Sequence, residues 1–154
     1  MKQEPEYLVF SGEMPPQFDE AMAELGPLLG FVPASEGIPV EVFRAKAVVV
    51  EKQGPHLRLG WHKPVQLYRA LSLLRGAWNQ DEYRYEEQPC FETGMMFDVS
   101  RNACLRPDTL RSFLRRMALM GLDVGMLYTD CCSRLRRSAR HHTAASASRE
   151  GDHR

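Results

Sequence analysis

The sequence predicts a small α+β layer, followed by one strand–helix–strand fragment of an α/β fold and then a basic tail. Three observations predict it. Short β-branched runs and two amphipathic stretches share residues 1–89. Two near-continuous apolar runs then flank a third helical stretch within residues 90–130, and residues 131–154 contain Leu135 as their only large aliphatic side chain. The first region reads as helices on a mainly antiparallel sheet.

Each element has its own local reason. Tyr7–Phe10 (YLVF) reads as a short strand. Pro15-Pro16 then opens an acidic stretch in which Phe18, Met22 and Leu25 recur at helical spacing, and Gly26-Pro27 is expected to break it. Val40–Phe43 and Ala47–Val50 are β-branched runs, and the second meets Leu57–Trp61 across Gln53-Gly54-Pro55, a hairpin turn. Pro64 suits the first turn of the next helix, whose Val65, Tyr68, Leu71, Leu74 and Trp78 form a stripe for packing on the sheet.

The second region changes pattern. Thr93–Val99 is a nearly unbroken apolar run, as expected of a strand covered on both faces. Pro107 starts a helix that buries Leu110, Phe113, Leu114 and Met117, leaves Arg111, Arg115 and Arg116 in water, and closes at Gly121. Val124–Tyr128 is a second covered strand, parallel to the first. Met95, Met96, Met117 and Met120 read as core filling.

Composition bounds the function. A chain of 154 residues with 44% hydrophobic content can bury one sizeable core. Lys plus Arg and Asp plus Glu both total 20, so the overall charge argues for neither a nucleic acid nor an anionic membrane partner. No run approaches the roughly 18 apolar residues of a membrane span. Met1–Phe10 lacks the apolar core of a secretory signal, and the chain reads as cytoplasmic. Cys90, Cys104, Cys131 and Cys132 have no spacing typical of a disulfide framework, so free thiols are expected. Cys131 and Cys132 with His141 and His142 match no zinc-ligand spacing, so no metal is expected. The tail, CCSRLRRSARHHTAASASREGDHR, reads as disordered. Its abrupt start is what a high-GC gene yields when read out of frame; the competing reading is a basic tail for RNA or acidic partners.

The segment Phe91–Asp130 contains Gly94-Met95-Met96-Phe97-Asp98-Val99-Ser100-Arg101, then Asn102, and ends on Leu127-Tyr128-Thr129-Asp130. It resembles the first barrel strand, helix and second strand of family 20 glycoside hydrolases, the β-N-acetylhexosaminidases. The phrase His56–Leu74 is similar to the last strand and helix of the small domain that commonly precedes that barrel. The resemblance implies an incomplete α/β (TIM-type) barrel behind an α+β domain, acting on carbohydrate without a cofactor. It also implies substrate-assisted retaining hydrolysis, with an Asp orienting the acetamido group and a neighbouring Glu protonating the leaving oxygen. In the family these lie at the end of the fourth barrel strand. Asp19-Glu20 and Asp81-Glu82 precede the barrel segment, so no catalytic residue is assigned and the chain alone is expected to be inactive.

Asp98 and Arg101, near the end of the first barrel strand, and Tyr128 and Asp130, at the end of the second, are the candidate substrate-binding residues of a complete barrel. For Asp98 and Arg101 the favoured alternative is an ion pair bracing the first loop. Thr93 departs from the family, in which many members place a sugar-binding Arg before the opening Gly. His56 and His62 read as exposed or satisfied by neighbours. A stand-alone interaction module is the rival function, and association with a separately encoded barrel remainder is a third possibility.

Overall fold

The computed structural model describes residues 4–88, 92–99 and 105–128. The tail, the four cysteines, and His141 and His142 lie outside the described residues. The first region comprises β1 (Glu6–Gly12), α1 (Phe18–Leu29), β2 (Phe31–Pro33), β3 (Ile38–Arg44), β4 (Val48–Gln53), β5 (His56–Trp61), α2 (Pro64–Gly76) and β6 (Glu82–Glu87). These strands form one sheet in the order β2-β1-β3-β5-β4-β6.

The sheet is mixed, which corrects the expected mainly antiparallel one. β1 runs parallel to both β2 and β3, and β3 runs parallel to β5; β4 is antiparallel to β5 and β6. The expected hairpin is present, turning on Gly54 at φ 56°. Parallel neighbours instead arise across intervening elements: α1 carries the chain from β1 to β2, and β4 lies between β3 and β5 in sequence. β6 is an edge strand absent from the expected elements, although its Tyr83 and Tyr85 alternate with charged residues as in a half-covered strand.

α1 does not break at Gly26-Pro27. Pro27 falls in its last turn, so only one late backbone bond is forgone, and Gly30 closes the helix in the left-handed region at φ 67°. Gly26 is needed for packing: a Cβ there would lie 2.6 Å from the Phe31 carbonyl oxygen. The inner face of the sheet carries Leu8, Val40, Val42, Val50 and Leu59, all essentially buried against α1 and α2. On α2 the buried stripe is Leu67, Tyr68, Ala70, Leu71 and Leu74. Val65 is only half buried, and Leu67 and Ala70 take the place expected for it.

The outer face carries a charged row beside Phe43 and Val49. Glu41, Arg58, Glu51 and Arg84 form one cross-strand row on β3, β5, β4 and β6. Arg58 Nε meets Glu41 Oε2 at 2.9 Å and Arg58 reaches Glu51 Oε2 at 2.8 Å, while Arg84 Nε lies 3.9 Å from Glu51 Oε1. Such exposed pairs contribute little individually.

The second region comprises β7 (Gly94–Asp98), α3 (Pro107–Met120) and β8 (Val124–Tyr128), with β7 and β8 paired in parallel as expected. Gly121 closes α3 in the left-handed region at φ 79°. α3 packs along α2, and its Ala118 and Leu119 rest against the core of the six-stranded layer. Its other side faces the strands: Phe113 meets Phe97 with ring centroids 5.6 Å apart, and Leu114 and Met117 lie beside Gly125.

Burial here departs from expectation. Of the four residues expected on the buried face of α3, only Met117 is buried; Leu110 is half buried, and Phe113 and Leu114 are exposed. β7 buries Phe97 alone and β8 buries nothing. Met95, Met96 and Met120 are exposed, which corrects their reading as core filling. The reason is arithmetic of neighbours: two strands and one helix leave one face of the pair without a covering layer and are too few to enclose the side chains between them.

Candidate functional site at the carboxyl ends of the parallel strands

Strand alternation puts Met96 and Asp98 of β7, with Met126 and Tyr128 of β8, on the face away from Phe113. The register pairs Asp98 with Tyr128 at the carboxyl ends, and the Val99 N–H donates to the Tyr128 carbonyl at 2.9 Å. An exposed carboxylate and a phenol, Tyr128 being 49% exposed, therefore share one edge. Such a pair can accept and donate hydrogen bonds to a polyhydroxylated ligand. Of the four residues singled out from the sequence, the structure brings these two together. Arg101 and Asp130 lie outside the described residues, as does the expected brace between Asp98 and Arg101.

Other candidate groups lie elsewhere. Asp19-Glu20 occupies the first turn of α1, and Asp81-Glu82 leads into β6. His56 and His62 are both exposed, matching the sequence reading. Among the described residues, no group of three or more His, Cys, Asp or Glu is placed to hold a metal ion, and no helix is long and apolar enough to cross a membrane.

The opposite, amino ends of the strands hold contacts that the sequence reading misses. A cleft of about 560 Å³ opens there, lined by Lys46, His62, Arg69 and Glu87 among others. Lys63 Nζ reaches Asp123 Oδ2 at 2.7 Å and Glu92 Oε1 at 3.5 Å. The Thr93 N–H donates to Asp123 Oδ1 at 2.9 Å, and the Asp123 N–H donates back to the Thr93 carbonyl at 2.9 Å. Lys63 and the Thr93 N–H together hold the Asp123 carboxyl below its usual pKa, and Asp123 raises that of Lys63. Lys63 and Asp123 are 60 residues apart, so no local pattern could have joined them.

Lys63 is itself held in place by a buried side chain. Gln66 Oε1 accepts from the backbone N–H of His62 at 2.9 Å and of Lys63 at 3.0 Å, satisfying two donors at the start of α2. Gln66 is 4% exposed, so Gln66→Leu leaves both donors short of a partner and is expected to lower stability by about 1–3 kcal/mol. Urea denaturation followed by tryptophan fluorescence measures it; an unchanged midpoint would show that water replaces the amide.

No family model matches this chain, and no curated protein matches it. Among solved structures it is similar to a GH138 enzyme targeting pectin rhamnogalacturonan II, with 10% sequence identity and a TM-score of 0.52. The match covers 80% of this chain and 19% of that one, so the chain spans about a fifth of that enzyme's length. At this identity the likeness shows the fold alone: a mixed α/β arrangement found within a glycoside hydrolase. A match over 80% of the chain is longer than the six-stranded layer can supply by itself.

Proposed function

We propose that this chain is the front of a sugar-cleaving enzyme: an α+β domain followed by the opening strand–helix–strand of a catalytic barrel of the family 20, β-N-acetylhexosaminidase type. One observation carries the reading. A parallel β7–α3–β8 unit follows the layer, with its helix on one face, apolar Met96, Met126 and Val124 bare on the other, and Asp98 beside Tyr128 at the carboxyl ends. In a barrel the bare face becomes the packed interior, and the carboxyl ends become the rim that binds substrate. The fold likeness to a glycoside hydrolase supports this reading, and the resemblance of Gly94–Arg101 to the family's opening strand selects the type.

Asp98 and Tyr128, with Arg101 and Asp130, are then substrate-binding groups of the assembled barrel, whose substrate is a terminal β-linked N-acetylhexosamine. The described residues supply no carboxylate pair at the carboxyl end of β7 or β8 to orient the acetamido group and protonate the leaving oxygen. On this reading the chain by itself is expected to show no turnover. A separately encoded barrel remainder is the kind of partner that would complete it.

Two measurements test this. The purified chain should release no chromophore from aryl N-acetyl-β-glucosaminides above a heat-killed control; turnover abolished by Asp98→Asn would overturn the inactive reading. The gene tests the family. A barrel spends roughly 30 residues per strand–helix unit, so one frame of the DNA beyond the Asp130 codon should encode an Asp-Glu pair about 60 to 120 residues further on. Stop codons in every frame there, with no large protein co-purifying, would sink the barrel assignment.

A further inference from the structure

We propose that the six-stranded layer sets the register of β7 against β8, through a clasp of Lys63, Asp123 and Thr93 at the amino ends of the two strands. The inference rests on contacts within this chain and does not depend on the glycosidase reading.

A parallel pair with one bare face has little to fix its register. Sliding β8 by one residue exchanges its two faces, and sliding it by two keeps the faces but moves Tyr128 roughly 6.6 Å from Asp98. The glycines and methionines that make up half of the two strands are weak markers, since Gly has no side chain and Met adapts to its surroundings. Specific contacts are found at the amino ends. Thr93 and Asp123 bond each other twice, N–H to carboxylate and N–H to carbonyl, and that closed ring exists in one register only. The two backbones also approach closely there: a Cβ on Gly94 would stand 2.0 Å from the Val124 carbonyl oxygen.

The ring is fastened to the layer. Asp123 Oδ2 takes Lys63 Nζ at 2.7 Å, and the Lys63 backbone is held by Gln66 at the start of α2, whose Leu67, Leu71 and Leu74 are fully buried. An unbroken run of contacts thus leads from the core of the layer to the register of the strands. The other flank is fixed independently, by Ala118 and Leu119 on the layer core and by Arg115 paired with Glu24 of α1. Removing the clasp should therefore free the strands without releasing α3.

Amide exchange and interstrand NOEs on the full chain test the proposal. Asp123→Ala removes both carboxylate bonds, whereas Asp123→Asn keeps an acceptor for Thr93 and loses the charge facing Lys63. Asp123→Ala should speed exchange at residues 124–128 about tenfold with β3 and β5 unchanged, and should erase the NOEs that pair Phe97 with Leu127. Asp123→Asn and Lys63→Met should each produce a smaller rise, and the double variant should be no worse than either alone. Lys63 faces Asp123 directly, and Glu92, Lys46, Arg69, Glu87 and His62 line the same cleft. Because the folded Asp123 pKa is lowered, its contribution is complete above the unfolded Asp value of about 3.9 and fades as pH falls through the folded value. The gap between wild type and Asp123→Asn should close over that range. Intact Phe97–Leu127 NOEs in Asp123→Ala would overturn the proposal, as would an equal rise in exchange across layer and strands. If Asp123→Ala does not fold, unaltered strand exchange in both Asp123→Asn and Lys63→Met would overturn it.

Discussion

Replacing Phe31 with alanine is expected to destabilise the chain by about 3–5 kcal/mol, a large part of the roughly 5–15 kcal/mol that holds a domain together. Phe31 opens β2, is 1% exposed, and pairs in register with Glu6 of β1. Its ring lies 5.0 Å from that of Trp78, tilted by 55°, and the Arg75 guanidinium stands 5.5 Å from its centroid. The ring thus joins the edge of the sheet to the end of α2, while the Phe31 carbonyl, which alanine keeps, makes the close approach to Gly26 of α1. Truncation leaves a cavity that the sheet edge and the end of α2 would have to collapse together to fill. Urea denaturation followed by the fluorescence of Trp61 and Trp78 measures the effect. A loss below about 1 kcal/mol would show that Trp78 or Arg75 moves in to fill the space.

Gly94→Ala should have the other large effect, confined to β7 and β8. The added methyl meets the backbone of Val124, its carbonyl oxygen at 2.0 Å and its carbonyl carbon at 2.7 Å, and backbone yields less readily than a side chain. Overpacking of this kind costs about 1–3 kcal/mol. A pair with a helix on one face only has little to set against that cost, so amide exchange in both strands should rise at least tenfold. The six-stranded layer should keep its denaturation midpoint, because none of its strands bonds to β7 or β8. A midpoint that falls in step with the strand amides would mean that the two sheets unfold as one unit.

Local rules were legible in the sequence and neighbourhoods were not. Pro64 and Pro107 mark the starts of α2 and α3, Gly121 marks a helix end, and Gly54 marks the hairpin, because each effect acts within a few residues. Val124–Tyr128 has the bounds expected of it. The parallel pairings of β1, β3 and β5 were not readable, since they depend on which strands meet after other elements have packed. Exposure of Met96 and Met126 has the same origin: an apolar run specifies a strand that seeks cover, and says nothing of whether cover is present. Asp98 and Tyr128 could be picked out as strand-end residues, but their register partnership needed the fold. The Lys63–Asp123 contact had no local signal at all.

The row of Glu41, Arg58, Glu51 and Arg84 has a consequence for how this protein meets other bodies. Each charge in the row already has an opposite neighbour, so an approaching surface must strip water from partnered ions and gains no new attraction in exchange. β6 extends the same treatment to the rim of the sheet, with Glu82, Arg84 and Glu86 exposed along it. The layer is thereby a tile glazed on one side. A surface that seeks apolar contact gains more on the opposite side, where α3 is already set against α2 and the layer core.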